Sequence, residues 1–264
     1  MARPIRSILS FLLLAAVLSG CGDMITYSKQ SRDKGEQYLK AGNDLQAEGA
    51  FRDATAQNPR DFRSFYYLGQ IAEKRGQYGA AVTQYRKSLA VQPLSLDAEE
   101  SGDFRHNTVQ ALGRALAKAD PRDTEINALA NEAAVDKTGE KNLILANVYV
   151  TRGDADSAIQ AYQNALAQNL KSFDIAKDAG LYFLQLDQKV YAVMALRRAY
   201  RLNDKDEAVN NGLRRLGIVP GPALKEENEL AKPLIPRGPL PEAFPDKNRP
   251  ALPIPESPGG RPAE

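Results

Sequence analysis

Small, aromatic and polar positions return along this chain with a period of 34 residues. Gly35, Ala47, Phe51, Ala54 and Pro59 fall on Gly69, Ala81, Tyr85, Ser88 and Pro93 at that shift, and Ala158, Tyr162 and Ala165 fall on Ala192, Leu196 and Ala199. A fixed period of this size marks a stack of supersecondary units, each of which buries its apolar face only against its neighbours. Gly42 and Gly76 fall between two stretches of helical spacing, so each unit predicts two helices joined by a turn. Gly35 and Ala47 would let those helices approach closely, while Tyr38 and Phe51 fill the space between them and the next unit. Pro59 and Pro93 lack an N–H and stop the second helix of their units.

The first unit runs from Ser28 to Asp61 and the second from Phe62 to Ser95. A third, Gly139 to Ser172, carries Ala146, Tyr149, Gly153, Ala158, Tyr162 and Ala165. The fourth, Phe173 to Asp206, carries Gly180, Phe183, Ala192, Leu196 and Ala199, and Leu170 and Asp204 stand where the first two units have proline. Between the pairs, residues 96–138 predict a longer helix through Val109, Leu112 and Leu116, a break at Pro121, and a helix through Ile126, Leu129 and Ala133. This stretch is read as one irregular helical pair that continues the stack. Residues 207–219 hold a capping helix, Glu207 to Leu216, whose Leu213 and Leu216 cover the last open face.

The alternation of small and large residues at these positions resembles the tetratricopeptide repeat, over about half of the chain. The resemblance implies an all-α, right-handed superhelical solenoid of helix-turn-helix repeats, and a protein-binding scaffold that is not an enzyme. In that family the first helix of each pair lines a concave groove. Carried over position by position, the groove takes Arg32, Glu36 and Lys40 from the first repeat and Arg63, Tyr66, Gln70 and Lys74 from the second. Leu143, Asn147 and Thr151 come from the third, and Lys177, Leu181 and Gln185 from the fourth. Such a groove is basic at its N-terminal end and more neutral later, which suits an extended partner with acidic residues or a free carboxylate. Ordinary solvated helix faces are the alternative. Glu36 stands where the family's two-carboxylate clamp has an asparagine, so that mode is not implied.

The ends of the chain have a different character. Arg3 and Arg6 precede an apolar run from Ile8 to Leu18, followed by Ser19 and Gly20, the order of a secretory signal too short to span a membrane. Leu18-Ser19-Gly20-Cys21 resembles the lipobox of bacterial lipoproteins, which implies removal of residues 1–20, acylation of Cys21 and a short linker over 21–27. Gly22 after the cysteine, with Asp23 only next, favours the outer membrane over the inner one. At the other end, residues 220–264 hold twelve of the sixteen prolines, a spacing that predicts a disordered, extended tail without helix or central strand. Pro236-Arg237-Gly238-Pro239 and Pro250-Ala251-Leu252-Pro253 have the form that polyproline-reading domains bind, although a plain spacer has the same composition.

Charge and chemistry narrow the function further. Lys plus Arg number 35 against 33 Asp plus Glu, a balance without the excess that nucleic acid requires. Cys21 is the only cysteine and His106 the only histidine, so neither an internal disulfide nor a Cys/His zinc cluster can form. No nucleophile-elbow, zincin, phosphate-loop or dinucleotide pattern occurs, so no cofactor and no small-molecule substrate are expected. His106 reads as an exposed or cap-proximal side chain, and Asp154 and Asp156 read as caps of the second helix of the third repeat and not as a calcium loop. The expectation is a lipid-anchored scaffold for protein partners of the cell envelope, serving assembly of an envelope, secretion or pilus complex. Two other readings stay open: a tether from membrane to cell wall through the tail, and an enzyme with its site in 96–138.

Overall fold

The computed structural model describes residues 27–92, 98–120 and 122–226, which are helices and the turns between them. The apolar run Ile8–Leu18, Cys21, Pro93, Pro121 and the chain beyond Glu226 lie outside the described residues, and with them the expected leader, anchor and most of the tail. No described helix is long and apolar enough to cross a membrane.

Along the chain, α1 (27–40) pairs with α2 (Asp44–Gln57), and α3 (Phe62–Lys74) with α4 (Tyr78–Val91). Two helices follow, α5 (Ala98–Ala119) and α6 (Thr124–Val135). Then α7 (Glu140–Arg152) pairs with α8 (Ala155–Gln168), and α9 (Phe173–Gln185) with α10 (Lys189–Leu202). Last come α11 (Glu207–Arg215) and α12 (Ala223–Glu226).

The 34-residue pattern is what sets the spacing within the pairs. A Cβ on Gly35 would stand 2.6 Å from the Phe51 ring, one on Gly69 2.4 Å from Tyr85, and one on Gly180 2.7 Å from Leu196. Each glycine is therefore the space its large partner occupies. Ala47, Ala81, Ala158 and Ala192, in the middle of the contacts, are each fully buried. Tyr38 departs from the expectation: it is 36% exposed, whereas Phe51 is completely buried.

Turns and stops also follow one register. The turn between the helices of a pair has a positive φ at Gly42, Gly76 and Gly153, and the fourth pair places Asp187 there at φ 56°, a region that Asp tolerates better than most side chains. The stop of the second helix does not depend on proline. Asn58, Asn169 and Asn203 are the C-caps of α2, α8 and α10, and each Oδ1 accepts the backbone N–H two residues on. This side-chain turn closes repeats three and four, where Leu170 and Asp204 replace the proline.

The insert differs from the expected pair. Its two helices barely touch each other: α5 packs between α4 and α7, and α6 lies chiefly on α7. Gly113 explains the close approach, since a Cβ there would meet the Ile144 carbonyl oxygen at 2.7 Å and Asn147 Cβ at 2.5 Å. With α5 held so near α7, Asp120 turns the chain, its carboxylate accepting the N–H of Glu125 and Ile126 at the start of α6. Arg86 of α4 and Glu125 of α6 pair at 2.9 Å on the surface. At the C-terminal end α11 caps the stack with Leu213 fully buried. The expected featureless tail instead opens with α12, whose Leu224 is buried against the core. Pro222 does not prevent that turn because it precedes the first helical residue, where no N–H is needed.

Candidate binding face

The first helices of successive units share a face. On it, two of the expected groove cations are engaged in the fabric of the stack. Arg32 Nη1 donates to both oxygens of Asp61 at 3.2 Å. The same carboxylate caps α3 through Ser64 N and accepts from the Ser64 and Ser28 hydroxyls. In the fourth unit Lys177 Nζ stands 2.6 Å from Asp206, which caps α11 through Val209 N. Both are cases of one device, a cation near the start of a unit holding the carboxylate that begins the next.

Other expected groove residues are placed differently again. Lys74 pairs with Asp44 of α2 at 2.6 Å. Leu143 is only 4% exposed and belongs to the core. Asn147 and Thr151 turn back on α7, donating to the carbonyls of Leu143 and Asn147. Lys40, Gln70 and Gln185 are exposed, and Glu36, Arg63, Tyr66 and Leu181 are half-buried. The basic N-terminal groove is thus weaker than its sequence suggested, because Arg32 and Lys74 are paired.

Tyr66 belongs to an aromatic cluster that the sequence reading did not assemble. Its ring meets Phe104 of α5 edge-on at 5.5 Å and Tyr67 at 5.5 Å, and Tyr67 stacks on Phe51 at 4.9 Å. The Arg63 guanidinium lies 4.9 Å over the Phe104 ring, a cation–π contact. Gln70 Nε2 donates to the Tyr66 hydroxyl at 2.8 Å. Burial, and then the neighbouring Glu36 carboxylate that accepts its proton in a hydrogen bond, push the Tyr67 phenol up to about 12.

Farther along, His106 is neither exposed nor a cap: its side chain is 16% exposed, and Nε2 stands 3.4 Å from Asp178 of α9. Gln110 Nε2 bridges them, 3.0 Å from His106 Nε2 and 2.9 Å from Asp178. The contact links α5 to α9 over α7. Burial disfavours the charged imidazole, but the hydrogen bond and charge of Asp178, reinforced by Asp174 and opposed by Lys177, outweigh it and raise the His106 pKa. A raised folded value stabilises the fold fully below the ordinary histidine pKa, and that contribution is lost as pH rises through the raised one. An imidazole NMR titration is expected to move down in Asp178→Asn, and the chain to lose less stability on alkalinisation in His106→Gln; an unmoved titration would show that Asp178 does not hold the proton.

A cavity of about 200 Å³ adjoins this contact, floored by Val109, Leu143 and Ile175. Asp154, as expected, caps α8, accepting Ser157 N at 3.1 Å. Among the described residues no group of His, Cys, Asp and Glu side chains is arranged to hold a metal.

Residues 32–95 and 144–209 match the family model of the tetratricopeptide repeat. With the paired helices, that match defines the protein as a tetratricopeptide-repeat solenoid, a class whose members mediate protein–protein interactions. Among solved structures the chain is similar to MamA, residue 41 to the end, from Desulfovibrio magneticus RS-1, at 18% identity over 69% of this chain and 97% of that one, with a TM-score of 0.36. It is also similar to YrrB, described as a TPR protein with an unusual peptide-binding site, at 13% identity over 70% of this chain and 90% of that one, with a TM-score of 0.34. No curated protein matches the chain.

Proposed function

We propose that this protein is a lipid-anchored scaffold of the bacterial cell envelope, which holds an extended segment of a partner protein on the face built from α1, α3, α5, α7 and α9. The observation that carries the reading is the half-buried cluster of Tyr66, Tyr67, Phe104 and Arg63 on that face. Tyrosine and arginine anchors of this kind concentrate binding energy at protein interfaces. The anchor is read from Leu18-Ser19-Gly20-Cys21, and Gly22 favours the outer membrane. Several acyl chains on Cys21 would fix the scaffold at the membrane, at ~0.8 kcal/mol for each buried methylene. Held there, the face adds no chemistry. It raises the local concentration of a partner during assembly of an envelope, secretion or pilus complex.

The test uses a photoreactive residue at Gln70 in living cells, with Cys21 intact and with Cys21→Ser. The intact chain is expected in the membrane fraction and to capture a defined envelope protein, with Arg63→Glu reducing capture at least tenfold. Cys21→Ser is expected to release the chain from membranes. Sedimentation of Cys21→Ser with the membrane would sink the anchor, and capture indifferent to Arg63→Glu would sink the face.

A further inference from the structure

The start of α1 and the turn after α2 meet at one edge of the first unit. Ser28 Oγ donates to the Ala54 carbonyl at 3.1 Å, near the end of α2, and to the Asp61 carboxylate at 3.3 Å, in the turn that leads to α3. Tyr27 and Lys29 flank Ser28, and Pro59 and Arg60 precede Asp61, so these four residues gather around one contact. All four are exposed, Tyr27 to 59%.

The charges at this edge are not balanced. Neither Lys29 nor Arg60 enters an ion pair among the described residues. The neighbouring acid, Asp61, is turned inward: its side chain is 1% exposed and is matched by Arg32 at 3.2 Å. Asp33 and Lys34 follow about a turn farther along α1, one charge offsetting the other. Two uncompensated cations therefore stand beside a tyrosine. Tyrosine favours the boundary between water and acyl chains, where its ring and its hydroxyl are both accommodated, and Lys and Arg are drawn to anionic headgroups.

Chain length decides where the edge can be. Cys21 is six residues before Tyr27, and six residues, however they run, reach no farther than about 20 Å. An acylated Cys21 would hold the start of α1 within that distance of the membrane, and the turn at Arg60 with it. The turn at Gly42 stands at the other end of α1, a helix about 20 Å long.

We propose that this edge of the first unit rests on the headgroups of an anionic membrane, with Tyr27, Lys29 and Arg60 as the contacting side chains. The inference deepens the scaffold reading and rests on its anchor at Cys21. Two cations and one ring bind a membrane too weakly to hold it unaided, so the contact forms only on the tether, whose short reach keeps the local concentration of lipid high. The contact also places the partner. Arg63 and Tyr66 lie in the first two turns of α3, which begins at the same turn of the chain, and the Arg63 guanidinium covers the Phe104 ring. The aromatic cluster is then at the membrane-side end of its helix, and the segment it holds is one that runs along the membrane surface.

The full chain is tested in living cells with a photoreactive residue at position 59 or, at the other edge, in place of Leu45. Position 59 does not depend on proline, since Leu170 and Asp204 stand there in the third and fourth units. Leu45 is 78% exposed near the start of α2. After irradiation, phospholipid adducts are measured at each position in the membrane fraction. Adducts at position 59 are expected about tenfold above those at position 45, and Lys29→Glu with Arg60→Glu is expected to reduce them by about fivefold or more while the chain stays in the membrane fraction. Three results overturn the edge contact and leave the anchor standing, each with the chain in the membrane fraction: equal adducts at both positions, adducts indifferent to the charge reversal, or a protein captured at position 59 in place of lipid. A chain absent from the membrane fraction overturns both. The capture from Gln70 reads the aromatic cluster and not this edge, so lipid adducts at position 59 without that capture sink the binding face alone.

Discussion

Replacing Asp61 with alanine is expected to lower unfolding free energy by about 3–5 kcal/mol. The Asp61 side chain is 1% exposed and its partner Arg32 17%. Its removal leaves a largely buried guanidinium without its counter-charge, and leaves Ser64 N and the Ser28 and Ser64 hydroxyls without an acceptor they now share. Asp206→Ala is the internal control. It has the same role between the fourth unit and α11, but its side chain is 16% exposed and that of Lys177 28%, so a loss of about 1–2 kcal/mol is expected, close to that of a helix cap. Urea unfolding of both variants decides the matter, and equal losses would show that burial is not what strengthens the first joint. The Asp206 pKa gives an independent check. Burial raises it, but the hydrogen bond from Lys177 and the backbone N–H of Val209 prevail and hold it below the ordinary carboxylate value. The stabilisation is present above that ordinary value and lost as pH falls through the depressed one.

Tyr85→Ala is expected to cost about 3–5 kcal/mol, the range for deleting a buried aromatic ring. Tyr85 is fully buried, its ring fills the space left by Gly69, and its hydroxyl donates to Glu73 at 2.8 Å. Burial, reinforced by Glu73, keeps the phenol neutral by raising its pKa far above the usual range. The converse change, Gly69→Ala, overpacks the pair and is expected to cost about 1–3 kcal/mol. The two are coupled through one contact. Gly69→Ala should therefore cost much less when Tyr85 is already alanine, and additive losses in a double-mutant cycle would mean that the glycine and the ring do not share the space.

The positions that carry the repeat were legible because close packing restricts them to few residue types. Glycine opposite Phe51, Tyr85 and Leu196 is such a case, and the glycine and the bulk can be read at a fixed spacing. Local periodicity could not reveal where charges find partners. Arg32 and Lys177 fall on the helix face expected of groove residues, yet both point to the carboxylate 29 residues on, Asp61 and Asp206. That repeated interval was the signal available for them. Asn58, Asn169 and Asn203 were likewise readable as stops at one place in the repeat. Gln110 and Asp178 are 68 residues apart, and only the stacking of α5, α7 and α9 brings them together. The same long-range packing separated α5 from α6, because helical periodicity defines two helices without saying which neighbour each prefers.

That separation governs how the array comes apart. In a linear array, stability is nearly a sum of each element's own term and the terms for its contacts with neighbours. Because α5 joins α4 directly to α7, while α6 leans chiefly on α7, the cooperative thread runs from α4 through α5 to α7 and bypasses α6. The two repeat pairs therefore melt as a single cooperative body despite the interruption between them, and α6 can detach and return as a side event that leaves the thread intact.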